Sequence, residues 1–189
     1  TLFRSQLSYI TIDASTKPQQ TIGKNFFFTV DEMDPAAEAV HGFSLEKLYD
    51  LSNGQYIEDL IEEFINDFSE ADFVIGHNVN FDVRFLKLEL EAMGIDYEPK
   101  NMFCTMQYYR DICKILRPSG DYKNPKLEEV INFLGITKDQ ISSKANELFQ
   151  GSGDYHDARF DTAATYLLII EGLKKGYIPR GYFSKKLLN

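Results

Sequence analysis

The stretch DFVIGHNVNFDVRFL, residues 72–86, joins a short apolar run to a longer pattern of mixed character. The run that closes at Gly76 predicts a buried strand, because it is short and turn-forming residues follow it at once. The segment 81–94 alternates partly like a strand, but its Leu, Glu, Lys, Ala and Met content and its terminal glycine favour a helix. The sequence therefore predicts a strand–loop–helix junction, with Asp82 close to the start of the helix.

Patterns on both sides of this junction predict an α/β domain. LSYITID at 7–13 and NFFFTV at 25–30 are rich in β-formers and predict an antiparallel hairpin. The clearest helix is YIEDLIEEFINDFSEAD at 56–72, whose apolar residues recur at the spacing of one buried face. The last long helix is predicted at 158–175.

Shorter segments complete the expected fold. Ser44 is a plausible N-cap for a helical turn at 45–51, and a helix is predicted at 105–116. A further helix should begin at the Asn124 cap and Pro125 and stop at Gly135. From there to residue 156 we expect a loop with at most one short helix.

Length and composition indicate one ordinary globular domain. The chain has 189 residues, of which 43% are hydrophobic and 26% charged. We expect a single domain over residues 1–176 and a loosely packed C-terminal tail over 177–189. The two cysteines form no CxxC pattern, which favours a reducing, cytoplasmic location. No signal peptide is visible, and no run approaches the roughly 18 apolar residues of a membrane span, so we expect no membrane partner.

The acidic charge restricts the function classes. A net charge of −9 counts against a large non-specific DNA-binding surface, because nucleic-acid binders are usually basic. It does not exclude an enzyme that gathers carboxylates around divalent cations, since bound metal reverses the local charge.

A histidine and an aspartate precede the last helix in HDARFDTAATYLL, residues 156–168. Positions five apart on one continuous helix point about 140° from each other. His156 and Asp161 can therefore converge only if His156 lies on the loop before the helix, where the glycine-rich GSGDY permits it. This arrangement suits phosphoryl transfer to water, in which carboxylates hold two Mg²⁺ or Mn²⁺ ions and a neutral histidine accepts the proton.

The ordered motifs resemble those of the DEDDh (DnaQ-like) 3′–5′ exonucleases, the family of the proofreading epsilon subunit of bacterial DNA polymerase III. VIGHNVNFDVRFL at 74–86 resembles the second motif, and HDARFDTAAT at 156–165 resembles the third. AVHGFS, MFCTMQ and PKLEEVINFLGI resemble the segments found between and before them.

The resemblance implies a fold and a set of roles. The fold would be ribonuclease H-like, with three layers and a mixed β-sheet flanked by helices. His156 would be the general base, and Asp82 and Asp161 would bind the metal ions, two Mg²⁺ or Mn²⁺. Asn78 would either contact substrate or hold the loop that carries Asp82. The implied partners are single-stranded DNA or RNA 3′ ends and a DNA polymerase subunit.

The sequence departs from the family pattern at the first motif, D-x-E on the first strand, which is absent from its expected position. RSQLSYITID at 4–13 resembles the second strand, so the motif would lie ahead of it. DYE at 96–98 matches D-x-E but follows a helix, and we interpret it as a coincidence. We expect polypeptide upstream of Thr1 to supply the central strand, because without it both neighbouring strands would carry unpaired backbone. The 189 residues alone should bind metal poorly and cleave little.

Two alternative functions, and the roles of several further residues, remain to be considered. The chain could be a non-catalytic nucleic-acid-binding or polymerase-associated module that has lost the first motif, and an unrelated metal phosphohydrolase is disfavoured by the ordered series. His41 and His77 are expected to order turns. Arg110, Lys114 and Arg117 share one face of the predicted helix, which is either a solvated face or a contact for a single strand.

Overall fold

The protein, seen in a computed structural model that describes residues 5–149 and 157–186, is built of helices and two small sheets. Its elements in chain order are β1 Gln6–Asp13, β2 Gln20–Phe27, α1 Pro35–His41, α2 Leu45–Ser52, α3 Ile57–Glu70, β3 Val74–Gly76, α4 Val79–Ala92, β4 Met102–Cys104, α5 Thr105–Cys113, α6 Leu127–Leu134, α7 Lys138–Phe149, α8 Ala158–Lys174 and α9 Tyr182–Lys186.

The predicted hairpin is confirmed. β1 pairs antiparallel with β2 in a register that runs from Gln6 opposite Phe27 to Asp13 opposite Gln20. Side chains alternate between the two faces of a strand, so Leu7 and Tyr9 share one face and Ser8 lies on the other. The first face packs against α3 and α4 in a core that includes Phe64 and Leu90. The second face meets α8, where the Thr162 hydroxyl donates to the Ser8 carbonyl at 3.1 Å. Helices therefore cover both faces of this sheet.

The junction at 72–86 folds as the sequence predicts. β3 pairs in parallel with β4, and α4 is the connection between these two strands. Phe103 of β4 packs into a second core with residues of α5, α6 and α8, among them Tyr109, Val130 and Leu168. The carboxyl ends of β3 and β4 lie at the same edge, where α4 and α5 begin.

The expected single mixed sheet differs from the structure. In the part of the chain that the structure describes, the four strands form one antiparallel pair and one parallel pair, with no strand joining β1 to β3. The strand expected from the family pattern to join them is not supplied by residues 5–149 or 157–186. The mixed α/β class is confirmed, and the ribonuclease H-like topology stays a prediction.

Three helix predictions need correction. α5 ends at Cys113, because Lys114 takes a left-handed conformation with φ of 52°, so Lys114 and Arg117 do not continue a helix face. α6 begins at Leu127 and not at Pro125, because the Glu129 carboxylate caps the backbone N–H of Lys126 at 2.7 Å. Residues 138–149 form a helix of 12 residues, longer than the one short helix that was expected at most in this run.

The segment after Gly176 also differs from the expected loose tail. Ile178 is fully buried, and its backbone N–H donates to the Gly172 carbonyl at 3.0 Å. The rings of Tyr182 and Phe183 lie 5.2 and 5.3 Å from the ring of Phe103. Ile178, Tyr182 and Phe183 therefore extend the core, while the residues between Ile178 and Tyr182 are exposed. No helix in the described ranges is long and apolar enough to span a membrane.

A glycine on α8 is required by its neighbour on α5. A Cβ built on Gly172 would overlap the Tyr109 hydroxyl oxygen and lie 3.0 Å from Cδ1 of Ile178. That buried hydroxyl has no hydrogen-bond partner among the described residues.

We expect Gly172→Ala to lower the free energy of unfolding by about 1–3 kcal/mol, as overpacking does. Tyr109→Phe should be neutral or stabilising, because it removes an unpaired buried hydroxyl. In the Tyr109→Phe background the cost of Gly172→Ala should shrink. Urea denaturation of the four proteins of this cycle measures the coupling; strictly additive effects would show that the hydroxyl is not the obstacle.

Candidate functional site

A sharp turn links β3 to α4 and sets the direction of the helix that carries Asp82. Gly76 permits a close approach, since a Cβ there would lie 3.1 Å from the Cβ of Val79. Asn78 precedes the helix with φ of 74°, a left-handed conformation that asparagine tolerates better than most residues. Its side chain is exposed and makes no capping hydrogen bond. The left-handed backbone conformation is a sufficient reason for an asparagine at position 78. A contact between Asn78 and substrate stays a prediction.

His77 fastens the same turn to two other elements. Its Nε2 donates to the Pro125 carbonyl at 3.0 Å, and its Nδ1 lies 3.0 Å from the Thr105 hydroxyl. Burial lowers the pKa of His77, although the bond to Pro125 opposes that shift, so the ring favours its neutral form. His77 thus orders the turn, in the role expected from the sequence.

Asp82 lies in the first turn of α4. Its side chain is exposed, yet the protein atoms around it desolvate the carboxylate and raise its pKa to about 6. A backbone hydrogen bond within Asp82 opposes this shift, and the charge of Asp161 adds to it. An exposed carboxylate that is partly desolvated is destabilised as an anion but accessible to a cation.

Asp161 lies in the first turn of α8 and is half-buried. It is near enough to Asp82 for its charge to raise the pKa of that residue. The two carboxylates therefore lie within electrostatic range of each other, each in the first turn of a helix, where the helix dipole favours negative charge. Within residues 5–149 and 157–186, no three histidine, cysteine, aspartate or glutamate side chains group so as to hold a metal ion.

The start of α8 is tied to the first sheet by a buried polar network. Asp157 is the N-cap of α8, and its Oδ1 accepts from the backbone N–H of Arg159 at 2.9 Å. The Arg159 guanidinium donates to both carboxylate oxygens, at 2.9 and 2.7 Å. Gln6 of β1 donates to Asp157 at 3.1 Å and accepts from the backbone N–H of Ala158 at 3.2 Å.

This network holds the start of the helix that carries Asp161. Asp157 follows His156 directly in sequence, and its carbonyl accepts from the backbone N–H of Asp161 at 3.2 Å. The sequence offered one signal for it, an aspartate immediately before a helix. Nothing in the local pattern pointed to Gln6, because its contact partners lie about 150 residues away along the chain.

The remaining candidate histidines cannot be placed in this geometry. His156 and the side chain of His41 lie outside the part of the chain that the structure describes. The role of His156 as general base stays a prediction.

The raised pKa of Asp82 predicts a pH-dependent stability in the absence of divalent metal. The folded protein binds this proton more tightly than the unfolded chain does, so the contribution is fully present below the unfolded pKa of about 4. It is lost as pH rises through the folded pKa of about 6. Above that pH, we expect Asp82→Asn to raise the free energy of unfolding by on the order of 1 kcal/mol, a value discounted for solvent exposure. Urea denaturation in a chelator at acid and neutral pH measures it, and equal effects at both pH values would contradict it.

Comparison with known proteins adds a distant similarity. No protein-family model matches this sequence. The chain is similar to the PolC-type DNA polymerases III of Thermotoga petrophila and Thermotoga maritima, each 29% identical over 126 residues, or 66% of this chain and 8% of the polymerase. It is also 26% identical over 125 residues to the 3′-5′ exonuclease DinG of Staphylococcus haemolyticus, covering 66% of this chain and 12% of DinG. The chain thus spans a small part of the length of these curated relatives, and the similarity supports an exonuclease-like relationship.

Proposed function

We propose that this chain contributes the catalytic domain of a metal-dependent 3′–5′ exonuclease of the DEDDh type, which releases nucleoside monophosphates from nucleic-acid 3′ ends. One observation carries the proposal: Asp82 and Asp161 lie in the first turns of α4 and α8, near enough for the charge of Asp161 to raise the pKa of the Asp82 carboxyl. The similarity to a protein named as a 3′-5′ exonuclease supports it.

The donor chemistry of this pair fits a divalent cation. Two carboxylates that repel each other are stabilised by a cation between them, and carboxylate oxygens are the ligands that Mg²⁺ and Mn²⁺ prefer. Asp82 and Asp161 would therefore hold the metal, with further carboxylates of a D-x-E motif expected from outside the described residues. The bound ions would stabilise the charge on the attacking and leaving oxygens.

The other roles belong to residues that lie close to these two in the sequence. His156 would accept the proton of the attacking water, a task suited to a group with an unperturbed pKa near 6.5. Phe81 precedes Asp82, is 51% exposed, and lies with its ring centroid 4.7 Å from that of Phe85. This exposed ring, one residue before Asp82 in α4, would stack on the base of a terminal nucleotide. Substrates would be single-stranded or frayed 3′ ends, and a DNA polymerase subunit is the proposed partner.

The test is degradation of a labelled single strand. The protein, expressed with any polypeptide encoded in frame before Thr1, is incubated with Mn²⁺ and a 5′-labelled oligonucleotide. We expect a ladder that shortens from the 3′ end and nucleoside monophosphates as products. His156→Ala should lower kcat by about 10²–10⁴-fold, the usual contribution of a general base.

Two outcomes would contradict the proposal. His156→Ala that degrades the strand as fast as wild type would remove the assigned base. A wild-type protein that binds the strand but leaves it intact would favour the non-catalytic nucleic-acid-binding module instead. Blocking the 3′ end with a terminal phosphate is the control for direction.

A further inference from the structure

A basic hairpin, residues 114–126, interrupts the acidic surface of this protein. Its sequence KILRPSGDYKNPK contains four lysine and arginine residues and one carboxylate, although the whole chain has a net charge of −9. A polyanion is repelled by most of such a chain, so the few positive segments are where it can make contact.

Backbone hydrogen bonds give the hairpin a defined shape. The backbone N–H of Lys123 donates to the Ile115 carbonyl, and that of Arg117 donates to the Asp121 carbonyl, both at 2.8 Å. Leu116 and Tyr122 face each other in an isolated antiparallel bridge. The turn closes at Gly120, whose φ of 91° is open to glycine and strained for other residues.

The hairpin presents cations and an aromatic ring to solvent. Lys114, Arg117 and Lys126 are exposed, and none forms an ion pair with another residue of the described ranges. Lys123 is different, because it pairs with the half-buried Glu129. Tyr122 is 41% exposed and Leu116 is 64% exposed. Positive side chains beside an exposed ring are the combination that single-stranded nucleic acid uses, through phosphate contacts and base stacking.

The base of the hairpin is hydrogen-bonded to the turn that precedes α4. Pro125, which closes the hairpin, accepts the hydrogen bond from Nε2 of His77. His77 adjoins Asn78, the residue before α4, and Asp82 lies in the first turn of that helix. The hairpin is thus fastened to the turn that positions the proposed metal ligand.

We propose that the basic hairpin is a binding surface for single-stranded nucleic acid, in which Lys114 and Arg117 contact phosphates and Tyr122 stacks on a base. The proposal rests on the proposed function for its orientation, since the strand held here would lead to the carboxylates. Lys114 and Arg117 were expected on one face of a continuous helix. They lie instead on the hairpin, and the proposal gives them a role in substrate binding.

The experiment measures binding without catalysis. Fluorescence anisotropy of a short labelled oligothymidylate, and of its RNA counterpart, is followed in a chelator at several salt concentrations. The double variant Lys114→Gln/Arg117→Gln is compared with Lys17→Gln/Arg180→Gln, which makes the same change of net charge at exposed positions elsewhere. Thermal unfolding of each variant shows that the fold is kept.

The expected results separate phosphate contacts from stacking. Each lost phosphate contact should reduce the slope of log K against log salt by about 0.7, and should weaken binding about fivefold at about 0.1 M salt. The hairpin double variant should thus bind about 25-fold more weakly, while the control pair changes binding little. Tyr122→Ala should weaken binding about tenfold with an unchanged salt slope.

Two results would overturn the proposal: equal losses in both double variants, which indicate net charge alone, or no binding of either oligonucleotide by wild type. Binding is measured without metal, so it does not depend on cleavage. If the protein binds through the hairpin but never cleaves, the proposed binding surface stands and only the proposed exonuclease activity is rejected. The DNA and RNA probes show which nucleic acid the surface prefers.

Discussion

Asp161→Asn is expected to lower the rate of 3′-end hydrolysis by at least about 10³-fold, because an amide oxygen carries no charge with which to hold a divalent cation. Asp82→Asn should have an effect of the same order. The double variant should be little slower than either single variant, since residues that act as one unit are not additive. Rates are measured with saturating single-stranded substrate and Mn²⁺.

The matched control is Asp139→Asn, which removes an exposed aspartate from the first turn of α7. It makes the same chemical change at an equivalent helix position, so its rate should equal that of wild type. Mn²⁺ should also raise the midpoint of thermal unfolding of the wild type and not that of Asp82→Asn, because a ligand stabilises only the state that binds it. Unchanged hydrolysis in Asp161→Asn would contradict the role assigned to that carboxylate.

Asp157→Ala is expected to lower the free energy of unfolding by roughly 3 kcal/mol. The substitution removes the N-cap of α8 and leaves the Arg159 guanidinium, whose side chain is 20% exposed, without its carboxylate. Gln6 loses an acceptor at the same time. Asp34→Ala is the control, because Asp34 caps α1 from an exposed position, and its loss should cost about 1 kcal/mol or less.

The pH dependence of Asp157 distinguishes charge from capping. Burial by itself would raise its pKa, but hydrogen bonds from Arg159 and Gln6 outweigh burial and lower it. A lowered folded pKa gives stability that is present above the unfolded value of about 4 and lost as pH falls through the folded value. Asp157→Asn keeps a capping oxygen, so its deficit against wild type should be large at neutral pH and shrink in acid. A deficit independent of pH would assign the effect to shape alone.

Much of the fold could be predicted because it depends on local rules. The hairpin follows from β-branched and aromatic runs, and α3 follows from apolar residues at helical spacing. α7 is longer than expected because its apolar pattern is weak, although Thr137 and Gln140 exchange hydrogen bonds at its start as a capping box. The tail was misjudged because the burial of Ile178 depends on a pocket formed by distant helices.

The candidate site likewise has features that the sequence predicts and features that it does not. The chemical types at Asp82 and Asp161, and their positions near helix starts, could be read from the motifs. The proximity of the two carboxylates could not, because it depends on where α4 and α8 lie around their cores. The support from Gln6 and the fastening of the 114–126 hairpin by His77 also join residues far apart in sequence.

The sequence by itself determined the α/β class, the strand–turn–helix at 72–86 and the choice of acidic and imidazole groups, since these depend on spacing, propensity and side-chain chemistry. Only the tertiary structure decided that Asp82 lies near enough to Asp161 for their charges to interact and that four strands form two separate pairs in the described residues. The reason is physical: electrostatic coupling and strand pairing depend on distances in space, which no local pattern specifies.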